Sequence, residues 1–443
     1  MKKVTTSIIA MILCLVMIVL PACSAAEQAS STPENSDLTD SSTANNTPVK
    51  ISFWNLWDGP DGAYAQEMIE KFNSETGIEV EMSVYSSSQY YTKLKTAALA
   101  NSGPDVAVSH VSGYIPEFKN DGIIMSLTQA CKDYGVEINF DDYVSDVASA
   151  AKVDGEQYAL PVDSIARLIY YNKSLLQGTP LLNADGKLAL EPGFDNFKAF
   201  LDKVKEEVPD ALAPMAFSPQ APQFVLNWLA FYSQKSTVPF FENNSVTFDE
   251  ATAAQVLSDY ADIYNNYCPP NLSGNAHLDL FNNGQIPILI DGTFNMSGCE
   301  KAIGSENLGV SYFPQWYDRP SVVSGSHSLM LMKKSDRADG VTKGALQFIK
   351  WFGDNDWMWA KSGALPANKT TYAQEEFTSL PGRMDLMLAT TNSLPLPMLP
   401  VGMIHSTSEV NVPIEKAMRK EMSAQDAIAT VKASCQKIFD DNK

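Results

Sequence analysis

Histidine, cysteine and basic side chains are all scarce in this chain of 443 residues. It holds four His and six Cys, and its 32 Lys and Arg face 52 Asp and Glu, for a formal net charge of −20. A surface of that sign repels DNA and RNA over most of its area, which argues against nucleic-acid binding. Nor do basic residues cluster for an anionic membrane or a phosphorylated ligand, so a neutral or cationic ligand is the better starting point. Common catalytic signatures are missing as well: there is no G-x-S-x-G, G-x-G-x-x-G, G-x-x-x-x-G-K-[ST] or H-E-x-x-H. No C-x-x-C occurs, and Cys131, Cys268, Cys299 and Cys435 are separated by 137, 31 and 136 residues, which gives a zinc site little support. A disulfide among these four stays open.

Long apolar runs are also lacking, with one exception at the start. Lys2 and Lys3 precede an uninterrupted apolar stretch, Ile8 to Leu20, of 13 residues. That is shorter than the ~17 to 25 residues of a membrane-spanning helix and reads as a signal peptide over 1–22. Leu20-Pro21-Ala22-Cys23 resembles a bacterial lipobox, in which Cys23 receives diacylglycerol before cleavage; the alternative is ordinary cleavage after Ala22 with a free Cys23 thiol. Residues 23–48 are rich in Ser, Thr, Asn and Ala, with Leu38 the only large aliphatic residue. Such a segment buries too little apolar surface to order itself, and as a flexible tether it reaches roughly 28 Å. Removing Met1 to Ala22 takes two lysines and no acid, leaving 30 basic against 52 acidic residues, or −22.

With 45% apolar and 19% charged residues, the remainder is globular in composition. At ~150 residues per domain the full length suggests about three domains, or two large ones. Val49, Ile51 and Phe53 alternate with polar residues as a strand, followed by the loop Trp54 to Gly62. Asp61 is placed to cap a helix through Asn73 with the stripe Met68, Ile69 and Phe72, and Thr76-Gly77 ends it. Ile78 to Val84 alternates as a second strand, Tyr90 to Ala100 reads as a helix, and Val106 to Val108 as a short buried strand. This β-α-β-α-β order implies a parallel sheet with helices on both faces.

The run Ile51 to Leu127 resembles the N-terminal lobe of the extracellular solute-binding proteins of ABC importers, in the group that includes maltodextrin-binding protein. The pieces that carry the resemblance are Phe53-Trp54, Phe72-Asn73-Ser74-Glu75-Thr76-Gly77-Ile78-Glu79-Val80 and Ser102-Gly103-Pro104-Asp105-Val106. Further matches are Asp154-Gly155 through Tyr158-Ala159-Leu160-Pro161 with Tyr170-Tyr171-Asn172-Lys173, Phe281-Asn282-Asn283-Gly284-Gln285 with Ile290-Asp291-Gly292, and Phe348-Ile349-Lys350-Trp351 with Gly363-Ala364-Leu365-Pro366-Ala367. The resemblance covers most of 49–443. It implies an α/β, two-lobe periplasmic-binding-protein-like fold with crossover hinge segments and an interlobe ligand cleft. The expected division is 49–162 with 327–358 for the first lobe and 163–326 with 359–443 for the second. It further implies a monomer without cofactor or metal that binds a carbohydrate and delivers it to permease subunits in the membrane, held at the outer face by a lipid on Cys23.

The carboxyl ends of parallel strands are the expected site on the general α/β rule too. Sugars present flat C–H faces and a girdle of hydroxyls, which call for an aromatic plate beside short polar groups. Trp57 and Asp58 supply both within two residues; alternatively Trp57 packs over the following helix and Asp58 serves the Gly-Pro turn. His110 falls in the family's second ligand loop. Asp163, at the crossover, either touches ligand or ties the hinge. Phe294 stands where the family has a stacking Trp, and Asp291 either binds ligand or caps its turn. Trp228 is a core residue by its helical spacing or a second-lobe aromatic by its place in the family order. His327 opens the return to the first lobe, and Gln89 and Tyr90 open a helix that can face the cleft. A surface protein for another solute, an adhesin or a sensory partner would have the same lobes. A glycoside-acting enzyme using Asp58 and Asp163 as paired carboxylates is the remaining alternative.

Overall fold

The computed structural model describes residues 48–441 apart from 60, 220, 243–244, 391–392 and 396–406. The signal segment, Cys23 and the tether before Pro48 therefore lie outside the described residues. The first strand, β1 (Lys50–Asn55), points Ile51, Phe53 and Asn55 inward. The helix α1 (Asp61–Thr76) buries Ala65, Met68, Ile69 and Phe72, a stripe at helical spacing. Gly77, at φ 72°, ends it in the left-handed conformation that glycine adopts without a Cβ penalty. Then follow β2 (Glu79–Val84), α2 (Ser87–Leu99) and β3 (Val106–His110). β1 lies between β2 and β3 and runs parallel to both.

The first-lobe sheet is mixed, which corrects the expectation of a purely parallel one. His327–Leu331 pairs antiparallel with β3 on one side and with Ala159–Pro161 on the other. The cause is topological: His327–Leu331 re-enters from the other lobe, at the end of the sheet where the parallel strands finish. A second sheet of seven strands is built on the long strand Asp163–Asn172. Ile288–Gly292, Leu308–Ser311, Val322–Gly325 and Leu365–Pro366 all pair with it antiparallel. Met215–Phe217 lies parallel to Ile288–Gly292 at the far side. The chain leaves one sheet and enters the other within Pro161 to Asp163, and returns within Gly325 to His327. Ser393–Pro395, in the proline-rich run, extends the second sheet beside Val322–Gly325. The last helix, Ala424–Asp441, is capped by Ser423, whose hydroxyl accepts from the Asp426 backbone N–H at 3.0 Å. Cys131, Cys268, Cys299 and Cys435 are free thiols.

Asp105, in the Ser-Gly-Pro-Asp-Val run, joins the strands at their entry. The Ser52 backbone N–H and hydroxyl donate to its Oδ2 at 2.9 and 2.8 Å. Lys334 and Arg337 approach its Oδ1 at 3.3 and 3.5 Å. Because Asp105 is 5% exposed, its removal leaves a buried guanidinium unpaired as well as two donors unsatisfied. Asp105→Ala is expected to destabilise the fold by about 3 to 5 kcal/mol and Ser52→Ala by only about 1 kcal/mol, measured by urea unfolding.

Candidate functional site

Three passages of chain between the sheets converge on one carboxylate. Asp163 is fully buried. Its Oδ1 accepts the His327 backbone N–H at 2.6 Å, and its Oδ2 meets His327 Nδ1 at 2.8 Å and the Trp359 indole N–H at 2.9 Å. The Val162 N–H donates to the His327 carbonyl at 2.9 Å, and Pro366 lies opposite Asp163 in the sheet. Burial by itself pulls the His327 pKa down, but Asp163, with Asp61 beyond it, outweighs that and holds it above the ordinary histidine value. Burial raises the Asp61 carboxyl, against the pull of His327. Asp61 was expected only as a helix cap; it lies in the first turn of α1 and faces the His327 and Asp163 pair electrostatically.

Trp57 sits on this knot and is 2% exposed. Its ring packs on Trp359 at 4.4 Å, on Phe352 at 6.0 Å with 22° between planes, and against His327 at 5.7 Å and 87°. Its indole N–H has no hydrogen-bond partner among the described residues. Asp58, the next residue, is exposed. His110 ends β3; its Nδ1 lies 2.6 Å from the Tyr91 hydroxyl, its backbone N–H donates to that same oxygen at 2.9 Å, and its ring is 5.0 Å from His327. Tyr91, stacked on Tyr114 at 3.5 Å and 11°, was not anticipated. Its neighbour Tyr90 was, yet Tyr90 is fully buried and its hydroxyl is engaged by the Trp54 and Val108 carbonyls at 3.0 and 2.8 Å. Tyr90, Leu94 and Ala98 are spaced i, i+4, i+8 and form the core stripe of α2, a pattern that already separates Tyr90 from Tyr91. Gln89 is exposed at the start of α2.

In the second lobe, Ile288–Gly292 carries Asp291 near its carboxyl end. Asp291 is 3% exposed and accepts from Arg167 Nη1 at 3.2 Å, His277 Nε2 at 2.8 Å and the Gly292 N–H at 2.7 Å. Arg167 was missed by the sequence reading; it lies opposite Gly292 in the strand register and extends 5.7 Å from the Phe294 ring centre. A Cβ on Gly292 would overlap the Phe294 ring, so glycine lets the ring lie on the backbone. Phe294 is half-buried. Trp228 is apart from this group: it is 1% exposed, its indole N–H donates to the Ala253 carbonyl at 3.0 Å, and Phe240 and Phe248 pack edge-on to it. The structure thus brings together Trp57, Asp163, His327 and His110 in one cluster and Asp291 with Phe294 in another. Asp58 and Gln89 are exposed on the first lobe, while Tyr90 and Trp228 lie in the cores. No grouping that could hold a metal ion occurs among the described residues, and no helix among them is long and apolar enough to cross a membrane.

A family model described as bacterial extracellular solute-binding protein matches residues 57–359. No curated protein matches significantly. Among solved structures, the GacH receptor of Streptomyces glaucescens, determined unliganded and with acarbose, is similar at 19% identity and a TM-score of 0.72, covering 89% of this chain and 100% of that one. The cyclic alpha-maltosyl-1,6-maltose binding protein of Arthrobacter globiformis is similar at 20% identity and 0.69, covering 89% and 100%. UgpB of Mycobacterium tuberculosis, in complex with glycerophosphocholine, is similar at 16% identity and 0.71, covering 88% and 98%. These likenesses show the two-lobe fold.

A histidine whose folded pKa is raised stabilises the protein fully below its unfolded value, about 6.5, and that contribution is lost as pH rises through the folded value. The melting-temperature gap between the wild type and His327→Asn is therefore expected to be largest below pH ~6.5 and to shrink as the pH rises above it. A gap that widens with pH would contradict the pairing of a charged His327 with Asp163.

Proposed function

The chain belongs to the bacterial extracellular solute-binding proteins, and we propose that it captures a mono- or oligosaccharide outside the cell and passes it to the permease subunits of an ABC importer as the lobes close. The observation that carries the sugar reading is Phe294, a half-buried ring laid on Gly292 at the carboxyl end of a second-lobe strand. The exposed Asp58 carboxylate follows the matching end of the first lobe. A ring face with short polar groups around it is what a pyranose requires. The solved structures with acarbose and with a maltosyl-maltose name favour the same class. A phosphodiester, as bound by UgpB, is less well served here, because Arg167 is buried against Asp291 and is not a free cation. In this reading Asp58, Gln89, His110 and Phe294 contact the ligand, Trp57 and Asp291 underlie them, and Asp163 with His327 ties the hinge. Tyr90 and Trp228 support the two cores.

Binding is favoured over glycoside hydrolysis by the state of Asp163. Its oxygens are occupied by three donors and the residue is fully buried, so neither oxygen is presented to a substrate. In the same proposal the protein is a monomer without cofactor, anchored to the outer face of the membrane through a diacylated Cys23. Two acyl chains give stable anchoring, and a tether of roughly 28 Å keeps the binder concentrated near its permease.

Titration of the mature domain with a panel of sugars is expected to raise the melting temperature and change Trp fluorescence for at least one of them; tight binding of an amino acid, peptide or polyamine with no response to any sugar would end the carbohydrate reading. Phe294→Ala is expected to weaken sugar binding by roughly two- to tenfold with little change in stability. Replacing Cys23 by Ala should move the protein from the membrane fraction to the medium.

A further inference from the structure

A groove of about 620 Å³ runs along one face of α2. One wall is a single helical stripe, Gln89, Thr92, Lys93, Thr96 and Ala97, at the i, i+3, i+4, i+7, i+8 spacing that places residues on one face. This face carries none of the large apolar side chains of a core stripe; those are Tyr90 and Leu94, on the buried side. The other wall is Trp54, on the opposite side of β1 from Phe53, which is half-buried and inclined to Tyr85 at 4.7 Å and 55°. Lys93 Nζ rests 3.9 Å above the Tyr85 ring centre and 6.0 Å from that of Trp54. The groove starts at Gln89, in the first turn of α2 just past the carboxyl end of β2, and follows a helix about 20 Å long to Ser102.

The polar groups along it have a definite sense. The Thr96 hydroxyl donates to the Thr92 carbonyl at 2.8 Å and the Ser102 hydroxyl to the Ala97 carbonyl at 3.2 Å. With their protons committed to the backbone, these oxygens offer lone pairs, so the ligand that satisfies them must itself donate. A polyol donates from every hydroxyl; a carboxylate or phosphate does not. An indole wall beside acceptor oxygens and a lysine donor suits a sugar chain.

We propose that this groove is a second carbohydrate subsite, which holds the part of a linear oligosaccharide that extends past Gln89 out of the cleft. It rests on the carbohydrate reading of the cleft, and it makes affinity depend on chain length through residues the cleft does not use. The test is calorimetric titration of the wild type, Trp54→Ala and Thr96→Trp with linear glucose-based and xylose-based oligosaccharides from the disaccharide to the heptasaccharide. Thr96 is exposed, so Thr96→Trp fills the groove without touching the core, and it stands alone should Trp54→Ala fail to fold. The expected result is an affinity that rises with length in the wild type, and a loss of roughly two- to tenfold in both variants for the long sugars only. Disaccharide binding should be unchanged. If short sugars bind and neither length nor the variants matter, the groove is not a sugar subsite and the reading of the cleft survives. If no sugar binds at any length, both fall. If sugar affinities are unaffected but sugar-stimulated ATPase activity with the permease drops in Thr96→Trp, the groove is a protein-docking surface and the proposal is overturned.

Discussion

Asp163 is where the two halves of the molecule are tied. The chain crosses between the sheets at Pro161 to Asp163, at Gly325 to His327 and again ahead of Leu365, and this one carboxylate accepts from the second crossing through His327 and from the third through Trp359. A buried carboxylate without partners would cost several kcal/mol. With two N–H groups and a histidine ring on it, it becomes the most specific joint in the structure, since none of the three passages can shift without leaving an acceptor unpaired. Any rotation of one lobe against the other that preserves these three hydrogen bonds has its axis close to Asp163. Trp57, packed on Trp359 and His327, links that joint to the loop that carries Asp58.

The second lobe repeats the device. Asp291 is buried at the end of its strand and held by Arg167 and His277, as Asp163 is held by His327. Histidine is scarce in the chain, and three of the four residues lie in or beside these two clusters, His110 and His327 at strand ends and His277 in the helix Ala276–Asn282. The effect on recognition is indirect. Both aspartates are engaged by these partners, and aromatic groups lie beside them: Trp57 at the first joint and Phe294 near Arg167 at the second. A net charge of −20 therefore does not describe the inside of the site, where the buried carboxylates are matched and Asp58 is left to face solvent.

Local patterning made the parallel core of the first lobe legible, because β1, α1, β2, α2 and β3 each announce themselves by spacing and by turn residues such as Gly77. The mixed character of the sheet was not, because the strand His327–Leu331 is supplied from more than 200 residues away and pairs by topology rather than by any local signal. The same limit applied to the site. Positions at strand ends, such as Asp58, His110, Asp291 and Phe294, followed from the general rule for α/β sheets. Arg167 did not, since it lies mid-strand and acquires its role only when Ile288–Gly292 pairs beside it. Tyr90 and Tyr91 show a different failure: the i, i+4 spacing of Tyr90 with Leu94 was in the sequence, and it marked Tyr90 as core, leaving the adjacent Tyr91 hydroxyl to meet His110.

The distribution of indoles bears on how tightly a sugar can be held. Trp57, Trp228, Trp316 and Trp359 are all at most 2% exposed and are committed to packing or to backbone and carboxylate hydrogen bonds, so the aromatic ring left partly open at the second-lobe strand end is the smaller phenyl of Phe294. A phenyl ring presents a smaller face than an indole and so contributes less as a plate. Useful affinity from such plates has to be accumulated over several sugar units or supplemented by hydrogen bonds from the rim. Trp54, half-buried on the outer side of β1 and beyond Gln89, is an indole that the core has not fully claimed. If the proposed sugar sites at Phe294 and along α2 are both used, a weaker plate at the first and a stronger one at the second give a reason for preferring long ligands over short ones.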